Sequence, residues 1–123
     1  MRSLILLVLF TLSGLTDGIR GATYTVSNLN DQGTGSFRQA IIDSNQSETA
    51  DSILFGKGVS GTINLSSALP EIIGDLTITG PGSGTLVVNR NSTDLFRLIS
   101  VPAGSVVVIG GLTLKMVSHP LKP

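Results

Sequence analysis

The chain has no cysteine and no tryptophan in its 123 residues. Without cysteine it is not a disulfide-stapled miniature domain and must be held by burial and backbone hydrogen bonds. Four phenylalanines and one tyrosine are all the aromatics on offer, so the core has to be aliphatic. One histidine, His119, stands in a proline-bounded tail. With no cysteine and no second histidine beside it, zinc ligation has nothing to draw on. A Ser-His-Asp triad would depend on that same tail residue, and the serines lack a Gly-x-Ser-x-Gly elbow. Charge is sparse and balanced, eight basic against eight acidic residues, which leaves no basic patch for nucleic acid or an anionic membrane surface. The only long apolar run, Leu4 to Leu12, has nine residues. A helix crossing a bilayer core of ~30 Å needs roughly 20, so no transmembrane helix is expected.

That run has another use. Arg2 precedes it and small or polar residues follow from Ser13 to Ala22, the three-part layout of a secretory leader. We read residues 1–22 as a signal peptide and place the protein outside the cell or on its surface. Cutting after Gly18 puts Thr16 and Gly18 at the small-residue positions. Cutting after Ala22 puts Arg20 at one of them but leaves the better strand start. Removing residues 1–22 leaves six basic against seven acidic residues, a net charge of −1.

The remainder alternates strand patterns with turns. Thr23 to Ser27 sets Tyr24 and Val26 against hydroxyl residues, a half-buried strand. Asn28 to Gly35 is dense in turn formers. Ser36 and Gln39 then form a capping-box pattern, in which Ser36 accepts from the Gln39 amide and the Gln39 side chain reaches back to the Ser36 amide. Phe37, Ala40 and Ile41 fall at i, i+3 and i+4, while Arg38, Gln39 and Asp43 point elsewhere, predicting a helix over 37–45 with one apolar face. So short a helix needs a surface to lie on. We expect it to lid one end of a stack of strands, with Arg38 anchoring it to a strand-end carbonyl or to the Asp31 loop.

Asp51 to Phe55 returns to strand. Short strands follow at 62–65, 75–79, 85–88, 95–99, 105–109 and 112–116, with turns at Pro70, 80–84, 89–92, 102–104 and 110–111. The string Ile73-Gly-Asp-Leu-Thr-Ile-Thr79 matches Ile109-Gly-Gly-Leu-Thr-Leu-Lys115 at an offset of 36, which suggests a repeated unit that buries its apolar face on its neighbours. The ten-residue spacing of Leu76, Leu86, Phe96 and Val106 is equally compatible with a meander or sandwich.

The ordered set of strings at 24–31, 33–41, 50–55, 61–65, 76–82 and 110–114 resembles the N-terminal portion of secreted right-handed parallel β-helix repeat proteins. These are the pectate-lyase-like solenoids of adhesin and polymorphic outer-membrane type. The resemblance covers nearly everything after the leader. It implies a mainly β fold, the start of a right-handed parallel β-helix with a short N-terminal capping helix built on Ser36, Phe37, Arg38, Gln39 and Ile41. Residues 23–61 would form the cap, 62–116 the first rungs and 117–123 a tail. Such solenoids run on for many further rungs. The chain is therefore read as part of a longer solenoid or as a minimal form whose open end, near Leu112 to Met116, meets a partner or another copy.

Enzymes on this fold work with clustered acidic and basic residues in a groove. Hydrolysis needs two carboxylates roughly 5 to 9.5 Å apart, and a lyase needs a base and a cation. The candidates for catalysis or glycan binding are Asp75, Arg90, Asp94 and Arg97, which also read as turn and solvated strand positions. The loop Asp31 to Gly35 offers one carboxylate, too thin for calcium. The glycines of 80–84 lead into a strand rather than a helix, unlike a phosphate cradle. Asn45, Asn64 and Asn91 head N-glycosylation sequons, relevant if the source is a eukaryote. No cofactor or metal is expected. We read the chain as a secreted or cell-surface segment without catalysis of its own, structural or adhesive, whose partner is a polysaccharide or a surface protein. The alternative is the N-terminal part of a polysaccharide lyase or glycoside hydrolase whose active rung lies beyond residue 123.

Overall fold

The structure, a computed structural model, describes residues 21–116. Most of the expected leader, the 117–123 tail and His119 lie outside the described residues. The elements run β1 (Thr23–Val26), α1 (Phe37–Asn45), β2 (Asp51–Phe55), β3 (Gly61–Leu65), β4 (Leu76–Thr79), β5 (Leu86–Arg90), β6 (Val107–Gly110) and β7 (Thr113–Met116). Every strand pair is parallel. A four-stranded sheet has the order β1-β2-β4-β6 and a three-stranded sheet the order β3-β5-β7. From β2 onward successive strands go to alternate sheets, whereas in the first turn α1 stands between β1 and β2, which share a sheet; each sheet then grows by one strand per turn of chain. The fold is a parallel β-solenoid of about four turns. Parallel pairing at every step rules out the meander and the antiparallel sandwich.

Alternation along each strand supplies the core. Tyr24, Ile53, Ile78 and Ile109 stack as partners in one inward column, and Ile63, Val88 and Leu114 in another. Buried Leu69 and Ile72 after β3, and Leu98 after β5, close the third side of the coil, where the Ile72 amide donates to the Ser100 carbonyl at 3.0 Å. In the first turn α1 follows the loop from β1, packs on β1 and β2, and covers the N-terminal end of the core with Phe37, Ala40, Ile41 and Ser44. At the other end Val106, Val108, Leu114 and Met116 are exposed, and β6 and β7 are the edges of their sheets.

Two sequence expectations are corrected. Residues 95–99 form no strand. They keep the inward alternation, with Leu98 buried and Phe96 packed on the core. The segment above them contains Pro70, which has no amide to donate, so a continuous ladder cannot form there. The 36-residue match does not relate stacked units either. Stacked partners are 29, 25 and 31 residues apart in the first sheet (Thr23↔Ser52, Asp51↔Leu76, Leu76↔Val107) and 25 and 26 in the second (Gly61↔Leu86, Val87↔Thr113). The two similar strings sit on different sheets. What they share is local: each enters its strand from a glycine turn, Gly74 at φ 88° and Gly111 at φ 73°.

The turn between the sheets sets a steric limit. Gly80 donates to the Gly110 carbonyl at 2.8 Å and Gly82 to the Gly111 carbonyl at 2.6 Å, so the two turns lie on one another. A β-carbon on Gly80 would collide with the Gly111 carbonyl. Gly80→Ala is therefore expected to cost about 1–3 kcal/mol, with roughly 4–8 °C of Tm lost per kcal/mol in a domain of this size. Gly84, with no atom within 4 Å of an added β-carbon, is the control. Gly84→Ala should stay within about 0.5 kcal/mol, and equal thermal melts for the two variants would remove the stacked-turn explanation.

Candidate functional site

The cap carries the densest polar network. Ser36 has extended backbone (φ −81°, ψ 161°), and its Oγ accepts from the Gln39 amide at 3.1 Å. The return half of the expected capping box is not made. The Ser36 amide is already taken by the Gly33 carbonyl at 3.1 Å, so the Gln39 side chain turns along the helix and donates to Asp43 Oδ1 at 2.9 Å.

Arg38 leaves the helix on the side away from the core. Its Nε donates to the Asp31 carbonyl at 3.0 Å, its Nη2 to Asp31 Oδ1 and the Ser67 carbonyl, each at 2.9 Å, and its Nη1 to the Ala68 carbonyl. The other Asp31 oxygen accepts from the Ser66 amide at 3.2 Å and from the Ser66 hydroxyl. Burial pushes the Asp31 carboxyl up. The bonds from Ser66 and Arg38 outweigh it and hold the group below its ordinary value of 3.8. Seven residues along the same helix, Asn45 donates to the Glu71 carbonyl at 2.8 Å and accepts from the Ile73 amide at 2.9 Å. Arg38 and Asn45 therefore clasp both ends of the segment that follows β3. This network is architecture: its donors already face protein acceptors. Asn45 is engaged in it, whereas the other sequon residues, Asn64 and Asn91, are exposed.

The four candidate residues stand in different settings. β5 ends two residues later than the sequence suggested, which turns Arg90 inward rather than into a turn. It is buried, donates to the Phe96 carbonyl at 3.0 Å, and sets its guanidinium carbon 5.8 Å from the Phe96 ring centroid. Asp75 is exposed just before β4, and its Oδ1 accepts from the Val106 amide of the next turn at 2.9 Å. Asp94 lies in an exposed turn, where its amide donates to Ser92 Oγ at 3.0 Å. Arg97 is exposed on the irregular third side. Among the described residues no group of three or more acidic, histidine or cysteine side chains is placed to hold a metal, and no helix is long and apolar enough to cross a membrane.

An open polar cleft of about 480 Å³ runs between residues 45–50 and 73–75, with Glu48 and Asp75 on its lining. It adjoins the first sheet, whose outer face holds the most regular feature of the molecule. Register places Thr23, Ser52 and Thr77 in one row across β1, β2 and β4, and Thr25, Leu54 and Thr79 in the next. All but Ser52 are exposed, and Ser52 is half-exposed. Partner strands lie about 4.8 Å apart and alternate residues of a strand roughly 6.6 Å apart. Among the described residues the five hydroxyls make no side-chain hydrogen bond, unlike Ser47, Thr49, Ser66 and Thr113. The result is a flat grid of available donors and acceptors.

The sequence contained the signal in Thr23-Tyr-Thr25 and Thr77-Ile-Thr79, but the rows exist only through a register of unequal spacings. Comparison with models of known families, with curated proteins and with solved structures finds no match for this chain.

Proposed function

We propose that the chain is a segment of a secreted or cell-surface β-solenoid that binds polysaccharide along the outer face of its first sheet, without catalysis of its own. The motif order that resembles pectate-lyase-like and adhesin solenoids supports the setting. The observation that carries the reading is the grid of unengaged hydroxyls at Thr23, Thr25, Ser52, Thr77 and Thr79. A sugar presents hydroxyls that both donate and accept, and a threonine hydroxyl does the same. A flat grid meets an extended polymer at several points. Each contact is weak in water, so binding gains from repetition along the polymer and along the solenoid. The candidate groups are already committed elsewhere: Arg90 lies inside under Phe96, and Asp75 holds the Val106 amide. This favours adhesion over bond cleavage.

The test is a pull-down on insoluble cellulose, chitin, pectate and alginate, with soluble glycans on an array. Replacing Thr77 and Thr79 together with valine keeps the β-branched shape and removes only the hydroxyls. The double variant should melt like the wild type and lose at least about tenfold in affinity, which is 1.4 kcal/mol. Unchanged binding by a folded double variant would remove this face from the reading. Absence of binding to every polysaccharide would remove the glycan.

A further inference from the structure

Asp51 opens β2 in a column whose next members are Leu76 and Val107, so a carboxylate stands where the solenoid otherwise puts an aliphatic side chain. It is only 3% exposed. Its Oδ1 accepts from the Ala22 amide at 2.8 Å, the Thr49 hydroxyl at 2.9 Å and the Ser47 hydroxyl at 3.1 Å. Its Oδ2 is buried with no hydrogen-bond partner. Buried carboxylates are ordinarily paired with a cation or fully hydrogen-bonded, because loss of hydration is otherwise uncompensated. Arg38, the cation of the cap, is occupied by Asp31.

We propose that the mature chain begins at Ala22 and that its α-ammonium is the cationic partner of Asp51. The group already placed against the carboxylate is the Ala22 nitrogen. As an amide it has one hydrogen to give. Hydrolysis of the Gly21–Ala22 bond adds one water, releases the leader with the Gly21 carboxylate and leaves an amine that takes up a proton. The resulting ammonium keeps the bond to Oδ1 and turns further donors toward Oδ2, which shares the same carboxyl carbon.

The residue before that bond supports the assignment independently. A β-carbon on Gly21 would collide with the Ala50 carbonyl, so the chain entering Ala22 runs close against the segment before β2 and suits glycine. A leader peptidase wants a small residue at this position, while two residues earlier stands the larger Ile19. Of the two cuts read from sequence, the one after Ala22 would delete the nitrogen that Asp51 holds. The one after Gly18 would leave Oδ2 without its ammonium. The structure assigns the bond between them. Removal of the leader then completes the cap, because the new terminus locks β1 to β2.

The inference rests on the secretion reading, and its test separates the two. The full chain is expressed in a secreting host and the exported protein analysed by intact mass and N-terminal sequencing. A start at Ala22 is expected, and any other start overturns the site. Independently of export, residues 22–123 are produced by cleavage of an N-terminal fusion and compared with the same chain acetylated at its α-amine. The free amine should raise Tm by at least about 4 °C, and the difference should vanish in Asp51→Asn. Equal melting of the free and acetylated chains overturns the ion pair, even where export occurs as expected. A difference that persists in Asp51→Asn overturns it as well.

Discussion

Phe37→Asp is expected to abolish cooperative folding. Phe37 is 1% exposed, and its ring centroid lies 5.4 Å from that of Phe55 at a tilted 53°. It sits at the first turn of α1, where the helix meets the core that Val26, Ile53 and Ile63 share. Loss of a buried phenylalanine side chain costs about 3–5 kcal/mol. Placing a carboxylate in the same space adds several more, because the neighbouring cation, Arg38, is engaged by Asp31. Whole-domain stability is only about 5–15 kcal/mol, and α1 is the one element among the described residues that covers the N-terminal end of this core. Without α1, β1 loses the surface that holds its inner face. Circular dichroism melts and size-exclusion chromatography should show a broad, non-cooperative transition and aggregated material. Phe37→Leu, which keeps most of the apolar contact, should still melt cooperatively at a lower temperature. Near-wild-type melting of Phe37→Asp would mean that the helix does not close the core.

Local chemistry was legible in the sequence, and stacking was not. The bounds of α1 and β2 followed from the Ser36 cap, the Phe37, Ala40 and Ile41 spacing and a clean alternation at 51–55, all of which act over a few residues. Solenoid stacking depends on how many residues each turn consumes, and the connecting segments between strands hide that number. The 36-residue match therefore pointed at a shared turn chemistry rather than at a rung. Arg90 was placed outside because an arginine after Val88 looks like a strand end. In the fold its aliphatic stem continues the inward column of Leu65, and Phe96 returns to cover the guanidinium. The hydroxyl grid was hidden for the same reason as the rungs: single Thr-x-Thr strings are ordinary polar faces until register lines them up. Asp51 reads in sequence as a polar strand end, and only its burial beside the Ala22 nitrogen distinguishes it.

Arg38→Met should be the second most damaging change, and its cost should depend on Asp31. Methionine keeps the apolar length that lies along α1 but removes four hydrogen bonds, to the Asp31 carboxylate and to the carbonyls of Asp31, Ser67 and Ala68. The pair is neither fully exposed nor fully buried: Arg38 is 12% exposed and Asp31 28%. A solvent-exposed pair contributes about 0.2–1 kcal/mol and breaking a buried one costs about 3–5. The intermediate exposure places this loss at about 2–3 kcal/mol, in line with hydrogen bonds to charged groups. Asp31→Asn alone should cost less, and the double variant little more than Arg38→Met, because the two changes remove one shared interaction. Acid titration supplies the independent check. The folded-state carboxyl of Asp31 is held below 3.8, its ordinary value and so the value expected in the unfolded chain. Its contribution is thus complete above that value and is lost as pH falls through the folded one. Wild-type stability should decline on acidification below about pH 4 more steeply than that of Asp31→Asn, which has no proton to take up. In Arg38→Met the decline should begin at higher pH, since Ser66 alone then holds the carboxylate down. Superimposable acid limbs for the wild type and Asp31→Asn would show that the clasp draws no stability from this charge.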